Sequence, residues 1–117
     1  MKNILILLLS LVFASKVEAA AVVTDTTKIY SIKLANADIK KGHVKFFLQG
    51  GIVSTYKKGQ EVFEKKYKLK YADLGCVMPN NLSIADYNKT VALYMDKKFG
   101  FGWRVDVRKD VRGISLK

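Results

Sequence analysis

The eleven-residue apolar run Ile4–Ala14, behind Lys2 and ahead of Val17-Glu18-Ala19, decides how much of this chain is left to fold. A positive start, a short apolar stretch and a small-x-small site are the three parts of a secretory signal. The run is short for a bilayer-crossing helix, which takes roughly 20 residues. The expectation is a cleaved signal over residues 1–19 and an exported product, periplasmic or secreted; the alternative is an uncleaved N-terminal membrane anchor. Residues 20–117 then form one small domain of 98 residues, close to the size at which burial only just outweighs chain entropy. Disulfides cannot help it, because Cys76 is the only cysteine and cannot form an internal bridge. Stability has to come from the core.

The chain is strongly basic, with a formal net charge of +11; residues 1–19 take Lys2, Lys16 and Glu18 with them and leave +10. Such a charge favours polyanionic partners and screens with salt; the alternative is a lysine-rich surface that only keeps the protein soluble. Export argues against nucleic acid and points to an anionic envelope polymer, an anionic lipid surface or an acidic protein. His43 is the only histidine, so a metal site or a His-activated nucleophile has almost no material. No cofactor or metal is expected.

Along the chain, residues 20–27 have no clear period and read as a flexible lead-in. In "KIYSIKLA", Tyr30, Ile32 and Leu34 alternate with Ser31 and Lys33, a strand signal, and Asn36, Asp38 and Gly42 then form a turn. "HVKFFLQGGIVS" alternates with large apolar groups on both faces, as in a strand covered on both sides. Gly50-Gly51 within it marks a bulge or a close backbone approach. From Gln60 the period becomes helical, with Glu61–Lys65 and Glu64–Lys68 as favourable i,i+4 pairs. Alternation returns in "LKYADLGCV". Ser83, with Asp86 three residues on, reads as a helix start; Ile84, Tyr87, Val91, Tyr94 and Met95 form its apolar stripe, and Gly100 ends it.

"GWRVDVRKDVRG" is ambiguous. Trp103, Val105 and Val107 alternate, yet Trp103, Val107 and Val111 recur every four residues. The longer pattern favours a helix capped by Gly113, with Arg104, Arg108 and Arg112 forming a ridge along it. The whole reads as a single α+β domain over residues 28–117: a small three-stranded mixed sheet with a compact βαβ unit, and two C-terminal helices packed on it. Phe46, Leu48, Ile52, Phe63, Tyr67, Leu74, Tyr87, Val91, Tyr94 and Trp103 are the expected core.

"FEKKY" at 63–67, "YADLGC" at 71–76, "YN" at 87–88, "MDKKFG" at 95–100 and "WRVDVRKDVRG" at 103–113 resemble, in this order, the FEKKY domain family of small bacterial proteins, many of them exported or membrane-attached. The likeness spans about residues 45–113. It implies a bacterial exported domain and carries no assigned activity, so it supplies no catalytic residue. The chain departs from the pattern at Phe99, Phe101, Val105 and Val107, where Tyr, Lys or charged residues are expected; these changes imply a more apolar C-terminal surface.

Two functional classes follow. The first is a non-enzymatic binding module for an anionic envelope component or acidic protein, using Lys57, Lys58, Arg104, Arg108 and Arg112. The second is a small thiol-dependent enzyme or redox protein centred on Cys76. Free cysteine is among the most buried residue types, so a core cysteine is expected, with a reactive thiol as the alternative. Gly75, alone before it, reads as a backbone device, since a phosphate loop needs several glycines opening on a helix. Asp106 and Asp110 read as partners of the neighbouring cations. Tyr67-Lys68-Leu69-Lys70-Tyr71 reads as core aromatics flanked by solvated lysines.

Overall fold

The computed structural model describes residues 20–76 and 79–114, with side chains from Thr26 onward; the expected signal segment 1–19 lies outside them. The element order is α1 (Ala20–Lys40), β1 (Lys45–Leu48), α2 (Gln60–Tyr67), β2 (Lys70–Asp73), α3 (Ile84–Phe99) and α4 (Trp103–Asp106). Helix and strand are mixed, as the sequence implies. The described sheet has two strands rather than three: β1 and β2 run parallel, with Lys45 opposite Lys70 and Leu48 opposite Asp73, and α2 lies between them in the chain.

The expected first strand is instead helical. Residues 28–35, and the lead-in 20–27, belong to α1. The large side chains of "KIYSIKLA" suggest alternation, but small ones set the buried face: Ser31 and Ala35 are fully buried, whereas Ile29 and Tyr30 are exposed. Four-residue spacing of Ser31 and Ala35, continued by Asp38 and Ile39, is helical. Small residues there let α1 approach α3. Ser31 Oγ donates to Thr27 O at 2.7 Å and accepts the Ser83 N–H at 2.8 Å. The α1 C-terminus closes with Gly42 at φ +81, Gly42 N–H donating to Ile39 O and His43 N–H to Asp38 O, the paired bonds of a Schellman end.

The next helices form where the sequence places them. α2 starts at Gln60 and ends on Lys68, a non-glycine residue at φ 54, whose N–H and that of Leu69 both bond Glu64 O. α3 is capped by Ser83, whose Oγ accepts from Asp86 N–H at 3.2 Å and donates to the Asp86 carboxylate at 2.7 Å. Gly100 closes its far end.

The core lies between α1, α3, the sheet and α2. Phe46, Leu48, Phe63, Tyr67, Tyr87, Val91 and Trp103 are buried in it, as expected. Ile52 is not: it is 94% exposed, because β1 stops at Leu48 and residues 49–59 leave the sheet. Leu74 and Tyr94 are half-buried.

The expected helix from Trp103 to Val111 stops at Asp106, and Val107 is extended at ψ 149. Trp103, Val107 and Val111 are still all buried, through a turn rather than a helix. Arg108 grips Asp110 through two bonds of 2.9 and 2.6 Å, and residues two apart face away from each other on a helix. Gly113 is needed for space rather than as a helix cap: at φ +92, a Cβ there would stand 2.2 Å from Ala85 O.

Asn88 ties these parts together. Fully buried on α3, it accepts Phe47 N–H at 2.8 Å and donates to Phe47 O at 3.0 Å and to Arg112 O at 2.9 Å. Its amide satisfies backbone groups of β1 as another strand would, and holds the C-terminal segment as well. By sequence Asn88 lies off the apolar stripe of α3, and its burial comes only with the backbone of β1 beside it.

Candidate functional site

The three arginines do not form a ridge. Arg104 lies beside Asp96, with Nε 2.9 Å from Oδ1 and NH2 2.8 Å from Oδ2, while the Trp103 indole N–H donates to the same carboxylate at 2.9 Å. Both side chains of the pair are mostly buried, at 21% and 15% exposed. The guanidinium also sits 4.8 Å from the Trp103 ring centroid, within cation–π range. The Arg104 hydrogen bonds hold the Asp96 carboxyl below its ordinary range, against the opposing effect of burial. The same bonds raise Arg104.

Arg108 is more deeply engaged, with its side chain 7% exposed. Besides Asp110 it donates to Thr55 O at 2.9 Å and to Gln60 Oε1 at 2.7 Å, and its backbone N–H donates to the Tyr71 hydroxyl at 3.2 Å. Its hydrogen bonds keep Asp110 low. Burial pushes the Tyr71 hydroxyl up to about 12, so it stays protonated beside that cation. Arg112 is exposed and donates to Gln49 Oε1 at 2.8 Å. Arg104, Arg108 and Arg112 thus fasten α4 and the C-terminal turn to α3, to the 54–60 loop and to Gln49 respectively.

Carboxylates are spent the same way. Asp38 accepts from Tyr87 and Lys45; burial pushes its pKa up, but those two hydrogen bonds and the Lys45 charge outweigh it and leave the group low. Glu61 takes the Tyr56 hydroxyl, Glu64 takes Tyr71 N–H, and Asp73 takes Thr55 and Gly75. Asp86 accepts the hydroxyl of Ser83, the N-cap of α3, and Asp106 meets Tyr67 and Lys66. Every carboxylate from Asp38 to Asp110 therefore has an internal partner.

The lysines are different. Lys57, Lys58, Lys65, Lys68 and Lys70 are exposed and have no ion-pair partner among the described residues. Lys65, Lys68 and Lys70, with Lys45 and His43, line a cleft of about 640 Å³ between the α1–β1 turn and the end of α2. Val44 and Leu69 give it an apolar floor, and Glu61 and Glu64 stand on the same wall. The helix ends here present carbonyls, and basic residues in the last turn suit that polarity. The Tyr67–Tyr71 run is built as the sequence suggests: Tyr67 and Leu69 are buried, Lys68 and Lys70 solvated. The cleft itself was not foreseen, since it needs the parallel pairing that sets Lys45 opposite Lys70.

Cys76 is a free thiol and is exposed, contrary to the expectation of a core cysteine. Its strand ends at Asp73, and Gly75, at φ +72, turns the chain outward while donating its N–H to Asp73 Oδ1 at 2.7 Å. That gives Gly75 the backbone role. Among the described residues no group of three or more His, Cys, Asp or Glu side chains could hold a metal ion, and no helix is long and apolar enough to cross a membrane. No protein-family model, no curated protein and no solved structure matches this chain.

Proposed function

We propose that this protein is an exported, non-enzymatic binding module for an anionic envelope component: a polymer, a lipid surface or an acidic protein. The observation that carries the reading is the asymmetry of its charges. Arg104 and Arg108 pair with Asp96 and Asp110, Lys45 and Lys66 with Asp38 and Asp106, and the other carboxylates accept internal neutral donors, while Lys57, Lys58, Lys65, Lys68 and Lys70 face solvent without a carboxylate partner among the described residues. The ligand-contacting set accordingly shifts from the arginines to these lysines. The FEKKY-like sequence blocks and the signal-like N-terminus support a bacterial, exported setting. The same reading treats Lys45–Asp73 as a compact βαβ unit, supported by the parallel β1–β2 pairing.

The test is retention of the purified protein on polyphosphate beads across a salt series. Retention should weaken linearly on a log–log scale, with a slope set by the number of cations engaged. The combined variant Lys65→Gln, Lys68→Gln, Lys70→Gln should flatten that slope. Retention that ignores salt would remove the reading.

A thiol-dependent enzyme or redox protein is the second reading, favoured by the exposure of Cys76. Thiolate reactivity depends on pKa as well as access. Labelling of the folded protein near neutral pH much faster than that of a free cysteine would promote it.

A further inference from the structure

We propose that the loop between β1 and α2 inserts its tip into the surface of an anionic lipid bilayer, with Ile52 and Val53 entering the headgroup–acyl boundary and Lys57 and Lys58 on the anionic headgroups. The proposal rests on the anion-binding reading and names its partner. Ile52 is 94% exposed and Val53 78%, and Tyr56 is exposed close behind them in the chain. Isolated surface aliphatics are ordinary. Here two adjacent ones lie in a loop whose stretch Gln49–Gln60 contains no acidic residue and carries Lys57 and Lys58, which have no ion-pair partner among the described residues; the bordering carboxylates of Glu61 and Asp73 are held by Tyr56 and Thr55.

The tip is held rather than loose. Thr55 donates to Asp73 through its hydroxyl at 2.7 Å, and its carbonyl accepts from Arg108. Tyr56 N–H bonds Ser54 Oγ at 3.1 Å, and Lys57 N–H bonds Gln60 Oε1 at 3.0 Å. On the other side Gly50 lies so close to Asp73 that a Cβ would stand 2.1 Å from its carboxylate. These contacts bracket Gly51-Ile52-Val53 in the chain and fix the ends of the tip, so less ordering entropy remains to be lost on docking. Arg108, read from sequence as a ligand contact, here positions the loop together with Asp73.

The chemistry favours a bilayer over the other anions. A soluble polyanion needs the lysines but gives nothing to Ile52 and Val53. A protein interface of ordinary size needs a far larger apolar core than two side chains. A lipid surface takes protruding aliphatics one by one, accepts tyrosine at headgroup level, and attracts each nearby lysine. One weak apolar insertion plus a small basic cluster is a two-signal anchor, since either alone binds only marginally.

Flotation of the full chain with vesicles tests this, using phosphatidylcholine alone or with phosphatidylglycerol added. The protein should float only with the anionic vesicles. Ile52→Ser with Val53→Ser should cut vesicle affinity at least about tenfold. Lys57→Gln with Lys58→Gln should cut it about thirtyfold, given the usual gain per basic residue. A tryptophan placed by Ile52→Trp should shift to the blue on anionic vesicles and be quenched by brominated lipid, above the constant signal of buried Trp103. All these positions are exposed, and the variants should keep the parent's circular dichroism spectrum. If the Ile52→Ser, Val53→Ser protein floats like the parent, the insertion proposal is overturned. Polyphosphate beads separate the two readings: a chain held by beads but not vesicles keeps the anion reading and loses the lipid one, and a chain held by neither loses both.

Discussion

The C-terminal segment 103–112 and the loop-and-helix segment 57–70 are both rich in cations, yet they use them in opposite ways. In the first, Arg104 and Arg108 each make a forked pair with a carboxylate and a stacking contact with an aromatic ring. In the second, Lys66 alone reaches a carboxylate, that of Asp106, and Lys57, Lys58, Lys65, Lys68 and Lys70 stand in solvent with none among the described residues. The difference follows from the side chains. A planar guanidinium offers several donors in a fixed fork and sheds water cheaply, whereas an ammonium is a strongly hydrated point charge on a flexible stem. A run of basic residues therefore does not define a binding face until one knows which cations the fold has already engaged.

If the C-terminal segment is structural, breaking its anchor should have the largest effect. Asn88→Ala removes a fully buried side chain and leaves Phe47 N–H, Phe47 O and Arg112 O without their partner. Each such group costs about 1–3 kcal/mol, so a loss of about 3 kcal/mol or more is expected in denaturant melts. A loss below about 1 kcal/mol would mean that water replaces the amide. Glycosylation of Asn88, which the Asn88-Lys89-Thr90 pattern permits by sequence, is incompatible with that burial.

Next in size is Arg108→Gln. It removes the bonds to Asp110, Thr55 and Gln60 together and should cost about 2 kcal/mol, as hydrogen bonds to a mostly buried charge do. The same pairs predict a pH dependence. Asp96 and Asp110 have folded pKa values below their ordinary ones. Their contribution is complete above the unfolded carboxylate value of about 4 and is lost as pH falls through the folded values. Stability should thus drop below about pH 4, less steeply in Asp96→Asn. An equal acid slope in that variant would assign the drop to other carboxylates, Asp38 first among them.

The sequence was legible where capping and long apolar stripes agree. Ser83 and Gly100 bound α3, and α2 starts at Gln60 where the period turns helical, although Glu61 and Glu64 take the Tyr56 hydroxyl and Tyr71 N–H rather than the expected Lys65 and Lys68. It failed where burial is carried by small or polar groups. Ser31 and Ala35, rather than Tyr30 and Ile32, face α3 from α1, and no count of large hydrophobics would find them. The arginine spacing failed for another reason: Arg108 takes partners as distant in sequence as Thr55 and Gln60, and their positions come only with the fold. Cys76 lies outside the core because Gly75 turns the chain at the end of β2, a consequence of backbone geometry rather than of thiol polarity. Of the candidate cations, Lys57 and Lys58 are solvated, while the grouping of Lys65, Lys68 and Lys70 emerges only from the cleft.

A smaller effect of opposite sign is expected within the lysine segment. Lys68 closes α2 at φ 54, a conformation glycine adopts without penalty and other residues do not. Lys68→Gly should raise stability by about 0.5–1 kcal/mol, the usual gain at a compatible left-handed cap less the added freedom of the unfolded chain. It should at the same time weaken retention on polyphosphate beads. A lysine kept at a strained cap, where glycine would be more stable, is what a cation serving a ligand looks like. If Lys68→Gly binds as the parent does, the charge at 68 only complements the end of α2.

The smallest stability change should come from Lys57→Gln with Lys58→Gln, and it sharpens the comparison most. Both are exposed, and surface substitutions away from special features fall within about 0.5 kcal/mol. Lys57 does bond Gln60 Oε1, but through its backbone N–H, which glutamine keeps. Arg108 donates to that same oxygen, so one acceptor joins a cation committed to the fold and the backbone of one free to meet a ligand. Melts unchanged within that margin, alongside the loss of vesicle binding, would place the two cations in separate roles despite their shared neighbour. A loss near that of Arg108→Gln would instead make Lys57 and Lys58 part of the same structural network and remove the contrast between the two segments.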